Sequence, residues 1–460
     1  MRRRAGPHGF NGRLIWPTDR EFDTARLVEN AAFDARPALI AQARHATDVA
    51  AVIEYTRSTG HSLAVRSGGH SVAGHSTGDG VVVLDLGAMN RLVLDATAST
   101  ASAGPGVRAA DYTNLAFEHG LATSFGDTGT VGLGGLTVGG GIGWLVRKYG
   151  LTIDSLLAAE VVTADGDRLL ASPDTHPDLF WALRGGGGNF GVVTRFELAL
   201  RPIGQVLHGA VVMLASHDVL RQLVALGIAA PDELTLMPVV MALPPMEGVP
   251  SDAEGRLGVF IELVWAGPAD AGAAAIAPFR SLGRVFVDTV AEKPYPAVYP
   301  EPSGERAGWI STGLFLDRLD GETISVLEHY LSDTPGGECL VQLRILGGAA
   351  ARVPADATAY GWRDRSLLLW IIADSVSPDR DGLAPYEQWV ADFRAALDDH
   401  AVGHFVGFMG DNAPAATAYP PSTWARLRRI KARYDPDNVF DRNHNVPPAS
   451  GARACDRSRR

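Results

Sequence analysis

LAVRSGGHSVAGHSTGDGVVVLD, residues 63–85, decides how the rest of the chain is read. It opens on the apolar run Leu63–Arg66, turns at Ser67, Gly68 and Gly69, and presents His70. A second Gly-His pair, Gly74 and His75, follows before the β-branched run from Val81 to Leu86. Both flanks read as buried strands, because short Val/Leu runs bounded by Gly and Ser suit a sheet covered on both sides. Glycines between them let backbone N–H groups converge with no Cβ in the way, which is how a chain builds a concave anion site. Two readings stand on this stretch alone: a ligand-cradling loop with a reactive histidine at its tip, or a glycine-rich hairpin carrying two surface histidines.

Upstream, Thr47 is expected to cap a helix with Val49, Val52, Ile53 and Thr56 on one face and Gly60 at its end. Downstream, Arg91–Asp95 and Ala101–Ala103 read as short strands and Ala109–His119 as a helix closed by Gly120. The segment Gly126–Gly143, GDTGTVGLGGLTVGGGIG, holds nine glycines in eighteen residues. Glycine this dense predicts loop rather than helix. A flexible linker would be polar, whereas this segment interleaves Val131, Leu133, Leu136, Val138 and Ile142, so ordered backbone against a large ligand is expected. It lacks the strand–turn–helix setting of a dinucleotide fingerprint, which excludes a Rossmann reading.

Asp165-Gly166 predicts a hairpin between Ala158–Thr163 and Arg168–Ala171. Asp178–Leu183 reads as a short helix, and a third glycine cluster, Gly185–Gly188, follows it. Val192–Leu200 then alternates, with Thr194, Phe196, Leu198 and Leu200 on one face. From about 205 to 405 the glycine clusters give way to strands (Leu257–Val264, Leu340–Leu346, Leu367–Ile372) and amphipathic helices (Val219–Ile228, Thr323–Leu331, Tyr386–Leu397). That pattern predicts one antiparallel sheet backed by helices. Trp424, Leu427, Ile430 and Tyr434 form a helical stripe expected to start at Ser422 and to stop at Asp435-Pro436.

At 460 residues the chain calls for two lobes sharing a cleft. A net charge of −11 argues against nucleic acid or an anionic membrane as partner, and no stretch is apolar enough to span a bilayer. The basic start, Met-Arg-Arg-Arg, lacks the apolar core of a secretory signal. Cys339 and Cys455 are far apart with no metal-ligand spacing, so inert thiols, no metal and a cytoplasmic setting are expected.

Four blocks in order, RSGGHS (66–71), TVGLGGLTVGGGIGWLVRKYG (130–150), DLFWALRGGGGNFGVVT (178–194) and YDPDNVFDRNHNV (434–446), resemble the vanillyl-alcohol-oxidase-type (PCMH-type) flavoproteins. Within them the likeness is to the berberine bridge enzyme-like branch and its bacterial hydroxynicotine oxidase relatives. The resemblance implies an α+β, two-lobed FAD-binding fold. Residues 1–204 would form the FAD domain, 205–405 an inserted substrate domain, and 406–460 a segment returning to the FAD domain.

The resemblance also implies a bond from His70 to the flavin C8 methyl carbon. Relatives with a second tether carry a cysteine where this chain has Thr128, followed by Gly129, Thr130, Val131 and Gly132, so a single attachment is expected. Backbone N–H groups of Ser67, Gly68, Gly69 and Ser71, with Gly132, Gly134, Gly135, Gly139, Gly140, Gly141 and Gly143, would surround the pyrophosphate, and Arg66 would belong to the cofactor site without being needed for that anion. Asn189, Gly191 and Val193 would line the adenine end, His75 would lie near the ring, and Asn443 and Asn445 near its pyrimidine. On the substrate side the candidates are Gln342 and Arg344, the latter as a carboxylate or phenolate clamp or as a sheet-edge ion pair. His404, Asp411 and His444 are candidate proton acceptors, and Trp370 reads as a buried core residue first and as a pocket wall second. Phe405-Val406-Gly407-Phe408 stands where carbohydrate oxidases carry Tyr-x-Asn-Tyr, which disfavours a sugar oxidase. Val131 favours dioxygen as acceptor. The expectation is an FAD-dependent oxidase of a C–O or C–N bond in a small, partly apolar metabolite, working as a monomer or homodimer. A flavin dehydrogenase with another acceptor, a carbohydrate oxidase and a non-catalytic flavin-binding protein are the alternatives.

Overall fold

The computed structural model describes residues 6–301, 306–375, 380–410 and 413–450, with the side chains of 380 and 381 outside the description. Residues 1–5, Asp411 and Cys455 therefore lie outside the described residues. Near the N-terminus a four-stranded sheet runs in the order Arg13–Ile15, Leu39–Gln42, Val82–Asp85, Leu63–Arg66. The last three strands pair in parallel. The helix Ala46–Thr59 makes the crossover and buries Val49, Val52 and Ile53 against Leu39, Leu63 and Leu84. Its cap differs from expectation. Thr47 lies exposed inside the first turn, and the buried Asp48 carboxylate accepts from the N–H groups of Arg44 and His45 instead. A carboxylate reaching back to the N-cap amide does the same work as a capping hydroxyl. Gly60, at φ 72°, ends the helix as read.

A second sheet, antiparallel, runs Leu92–Asp95, Thr100–Ala103, Val192–Ala199, Leu156–Val162, Arg168–Ala171. Thr194, Phe196, Leu198 and Leu200 are all buried, as the alternation required. The glycine segment between the sheets corrects the loop expectation: Leu133–Gly139 is a seven-residue helix. Each helical glycine costs about 1 kcal/mol relative to alanine, but Leu133, Thr137 and Val138 are buried. A Cβ on Gly134 would stand 3.0 Å from Ser67 Cβ, so close packing overrides local propensity here.

From residue 205 a single sheet of ten strands takes over, and every pairing in it is antiparallel. Its centre runs Gln205–Leu214, Leu257–Trp265, Leu234–Leu236, Glu338–Ile345, Leu367–Ser375, Gly308–Leu316, Ala401–His404. Odd positions such as Val259, Ile261, Val341, Leu343, Leu369 and Ile371 pack under the helices His217–Ala229, Gly321–Ser332 and Arg380–Ala396. Even positions present Phe260, Glu262, Gln342, Arg344, Leu368 and Trp370 to the other side, because successive side chains alternate across a strand. There Leu368 and Phe315 meet Ile142, Val146 and Ile153 from the glycine-rich half.

The last helix, Pro421–Tyr434, starts with proline in its first turn, one residue before the expected Ser422. Leu427, Ile430 and Tyr434 join Leu179, Phe190 and Phe196 in one core. Beneath them Lys431 and Asp435 form a fully buried ion pair, Nζ to Oδ2 2.6 Å. Lys431 also donates to the carbonyls of Asn189 and Phe440. Asp435 accepts from the N–H groups of Val439 and Phe440. Every polar group of the pair is thus satisfied, which is what lets it stay buried.

Candidate active site

The two glycine loops interlock. A Cβ on Gly68 would lie 2.4 Å from the Gly132 nitrogen, and one on Gly132 would lie 2.3 Å from Ser67 Oγ. Only glycine permits that approach. Arg108 ties the loops together, donating to the carbonyls of Gly68 (3.1 Å) and Thr130 (2.6 Å). Asn189 stitches the third glycine cluster to the C-terminal tail. Its amide nitrogen donates to Gly186 and His444 carbonyls, and its oxygen accepts from the Val446 N–H at 2.8 Å.

Between these loops and the even face of the large sheet lies a cavity of about 490 Å³. Of the residues singled out from sequence, Ser67, Gly68, Gly69, His70, Ser71 and His75 line it. So do Thr128, Val131, Gly132, Gly134, Gly135, Gly139, Gly141, Asn189, Gly191, Val193, Asn443 and His444. Others do not. Arg66 is drawn away by Asp85 (2.9 Å) and the Ala25 carbonyl, so it braces the strand from behind. Gly129 packs on Tyr299 and Ala110, Gly140 on Tyr360, and Gly143 on the Phe125 carbonyl, which makes all three packing glycines. Asn445 also lies off the lining.

Corrections are larger on the substrate side. Gln342 and Arg344 do not line the cavity. Arg344 is fully buried, donating to Asp127 Oδ2 at 2.6 Å and to the Ile142 carbonyl at 3.1 Å, so its charge is already matched and no carboxylate clamp is presented. His404 is buried in the sheet away from the cavity, opposite Leu314, and burial pushes its imidazole below the ordinary value. A base must reach the proton it takes, and His404 does not. Trp370, read as core, lines the cavity, stacked on Phe408 with ring centroids 4.2 Å apart and planes within 7°. Gly313 opposite Trp370 makes the room: a Cβ there would be 2.6 Å from Phe408 Cβ.

Glu29, Asp127, Trp309 and Arg442 also line the cavity without having been expected, and Phe405 and Phe408 line it from the run that replaces Tyr-x-Asn-Tyr. Asp127 had a signal, being the sole carboxylate in the glycine segment; Glu29 and Trp309 had none. Asn30 clamps the latter's backbone, its amide donating to the Trp309 carbonyl (2.8 Å) and accepting its N–H (3.1 Å).

His70 is three-quarters buried or more, and its Nε2 finds no hydrogen-bond partner among the described residues. Burial pushes its imidazole below the ordinary value; the Glu29 carboxylate, 3.9 Å away, opposes this, while Arg108 reinforces it. Burial thus favours the uncharged imidazole on this cavity wall. Glycine-lined backbone for a pyrophosphate, a free imidazole and an aromatic wall together fit a flavin dinucleotide.

Comparison with known proteins agrees. A family model described as FAD binding domain matches residues 37–172, and one described as berberine and berberine like matches 405–447. The (R)-6-hydroxynicotine oxidase of Paenarthrobacter nicotinovorans is 32% identical, the match covering 96% of this chain and 98% of that one. The chain belongs to the berberine bridge enzyme-like FAD-linked oxidoreductases. Among solved structures, 6-hydroxy-D-nicotine oxidase from Arthrobacter nicotinovorans superposes with TM-score 0.85 at 28% identity, covering 97% of this chain and 100% of that one. The xylooligosaccharide oxidase of Myceliophthora thermophila superposes with TM-score 0.82 at 25% identity, covering 95% and 97%. This family member is therefore an FAD-dependent enzyme with a PCMH-type fold. No helix among the described residues is long and apolar enough to cross a membrane.

Proposed function

We propose that this enzyme is an oxidase that removes a hydride and a proton across a C–O or C–N bond of a small, partly apolar secondary metabolite, with its flavin tethered through His70 alone. The observation that carries the tether is His70 Nε2, buried, unpartnered and on the cavity wall. Thr128, on the same wall, has a hydroxyl in place of the thiol a second bond would need. FAD, when bound, would supply the two-electron acceptor, and dioxygen with two protons would take the pair on as hydrogen peroxide.

The chain's own part is orientation and exclusion of water. The interlocked loops turn N–H groups toward the pyrophosphate. Trp370, Phe405 and Phe408 form an apolar wall that favours an apolar substrate and disfavours a sugar. Residues 1–204 and 406–460 make up the FAD half and 205–405 the substrate half. Supporting this division, Lys431 reaches Asn189, and Ala401–His404 is the edge of the large sheet.

Acid precipitation of the purified protein tests the tether. The yellow colour should stay with the pellet, and His70→Ala should release all of it to the supernatant. Colour that remains covalent in His70→Ala overturns the assignment. Peroxide release across a panel of aromatic amines, alcohols and sugars tests the reaction. Turnover only with an added dye, with no peroxide in air, would make the enzyme a dehydrogenase.

A further inference from the structure

Asp127 is a cavity-lining carboxylate close to the aromatic wall, and its two oxygens are treated differently. Oδ2 is held by the fully buried Arg344 at 2.6 Å. Oδ1 has among the described residues only the neighbouring Thr128 hydroxyl, at 3.4 Å. The side chain keeps 22% of its surface exposed, whereas that of Arg344 keeps 1%. The guanidinium that fixes Asp127 also lies 4.5 Å from the Phe408 ring centre and 5.5 Å from that of Trp370, so the carboxylate is anchored beside the stacked pair. Behind it stands Glu262, a second carboxylate that feels both Asp127 and Arg344. Among the described residues Arg344 is ion-paired with Asp127 alone, and Glu262 adds acidic rather than basic character to the cluster.

We propose that Asp127 is the specificity-determining carboxylate of this site: its Oδ1 accepts a hydrogen bond from an ammonium or hydroxyl group of the substrate, whose apolar part lies against Trp370 and Phe408. Anionic substrates are disfavoured there, because they would meet the Asp127 carboxylate while Arg344, the guanidinium bonded to it, is already engaged. A carboxylate partnered on one side keeps its remaining lone pairs for a donor. The apolar surroundings strengthen that bond relative to water. The inference rests on the substrate side of the oxidase reading, and binding can be read apart from turnover.

The test titrates the flavin-loaded protein with benzylamine, benzyl alcohol and benzoate, following the flavin absorbance. Benzylamine and benzyl alcohol should perturb the spectrum, with benzoate at least about tenfold weaker than benzylamine, a difference of about 1.4 kcal/mol. Asp127→Asn keeps an oxygen acceptor but no charge. It should cost benzylamine about tenfold while moving benzyl alcohol less than about threefold. Flavin content and spectrum confirm that the variant has folded, and Asp127→Glu serves as a second variant that should retain the preference for amine over benzoate. Benzoate binding as tightly as benzylamine, no perturbation by either neutral or cationic probe, or an unchanged ratio in Asp127→Asn would each overturn the proposal. Peroxide silence with the binding preference intact overturns the oxidase reading instead and leaves the recognition standing.

Discussion

The two walls of the cavity are built on opposite principles. On one side the backbone makes the site: Gly68, Gly132 and their neighbours bring amides together because they have no side chains to interfere. On the other, side chains make it: Trp370, Phe408 and the Asp127–Arg344 pair stand on a regular sheet and define shape and charge. A backbone wall recognises what is constant in a cofactor. A side-chain wall can be rewritten residue by residue without disturbing the strands that carry it. On the FAD side most of the residues expected from sequence line the cavity, whereas on the substrate side Gln342, Arg344 and His404 do not.

The comparison can be broken first at the buried pair that holds the tail to the backbone wall. Lys431→Met leaves Asp435 as an uncompensated buried charge and should cost about 3–5 kcal/mol in urea unfolding. It should also loosen Asn443 and His444, and so lower flavin retention. A loss below about 1 kcal/mol would show that the tail is held by its apolar contacts alone.

Glu262 sharpens the side-chain wall. Burial, helped by the nearby Asp127 charge and opposed by Arg344, pushes its carboxyl up to about 7 from the ordinary 4.5. A group raised in the folded state holds its proton there longer than in the unfolded chain. Its contribution is therefore fully present below about pH 4.5 and lost as pH rises through about 7. The loss amounts to about 3 kcal/mol when complete. Glu262→Gln should remove that slope, and unfolding free energies at pH 5 and pH 8.5 measure it. Parallel slopes in the two proteins would refute the assignment.

Gly313→Ala places a Cβ 2.6 Å from Phe408 Cβ, against one of the cavity's aromatic rings. Overpacking of this kind costs about 1–3 kcal/mol, and the displaced ring should change which aryl probes perturb the flavin while leaving FAD content unchanged. The smallest effects belong to the first crossover helix. Asp48→Ala should cost about 1–2 kcal/mol of thermal or urea stability, and Thr47→Ala less than about 0.5. The reverse order would restore Thr47 as the cap.

Much of the backbone wall was legible because its signals are local. Gly-Gly-His, the alternation from Val192 to Leu200 and the Asp165-Gly166 hairpin each state their conformation within a few residues. The helix Leu133–Gly139 escaped because its justification is not local: its apolar face is buried and Gly134 packs against Ser67, far along the chain. Thr47 was preferred to Asp48 because position alone does not say which of two adjacent capping residues turns inward.

Sequence by itself determined the family, the cofactor and the alternation that assigns each strand residue to a face, since these depend on residue type and short spacing. Tertiary structure alone decided what each side chain meets. Arg344 read equally as a clamp for a carboxylate or as one half of an ion pair until the fold delivered Asp127 from 217 positions away. Trp370 read as core until Gly313 and Phe408 gave it a cavity to line. The physical reason is that a charge or a ring takes its function from its nearest neighbour, and in a sheet of distant strands that neighbour is chosen by the closing of the chain rather than by its local order.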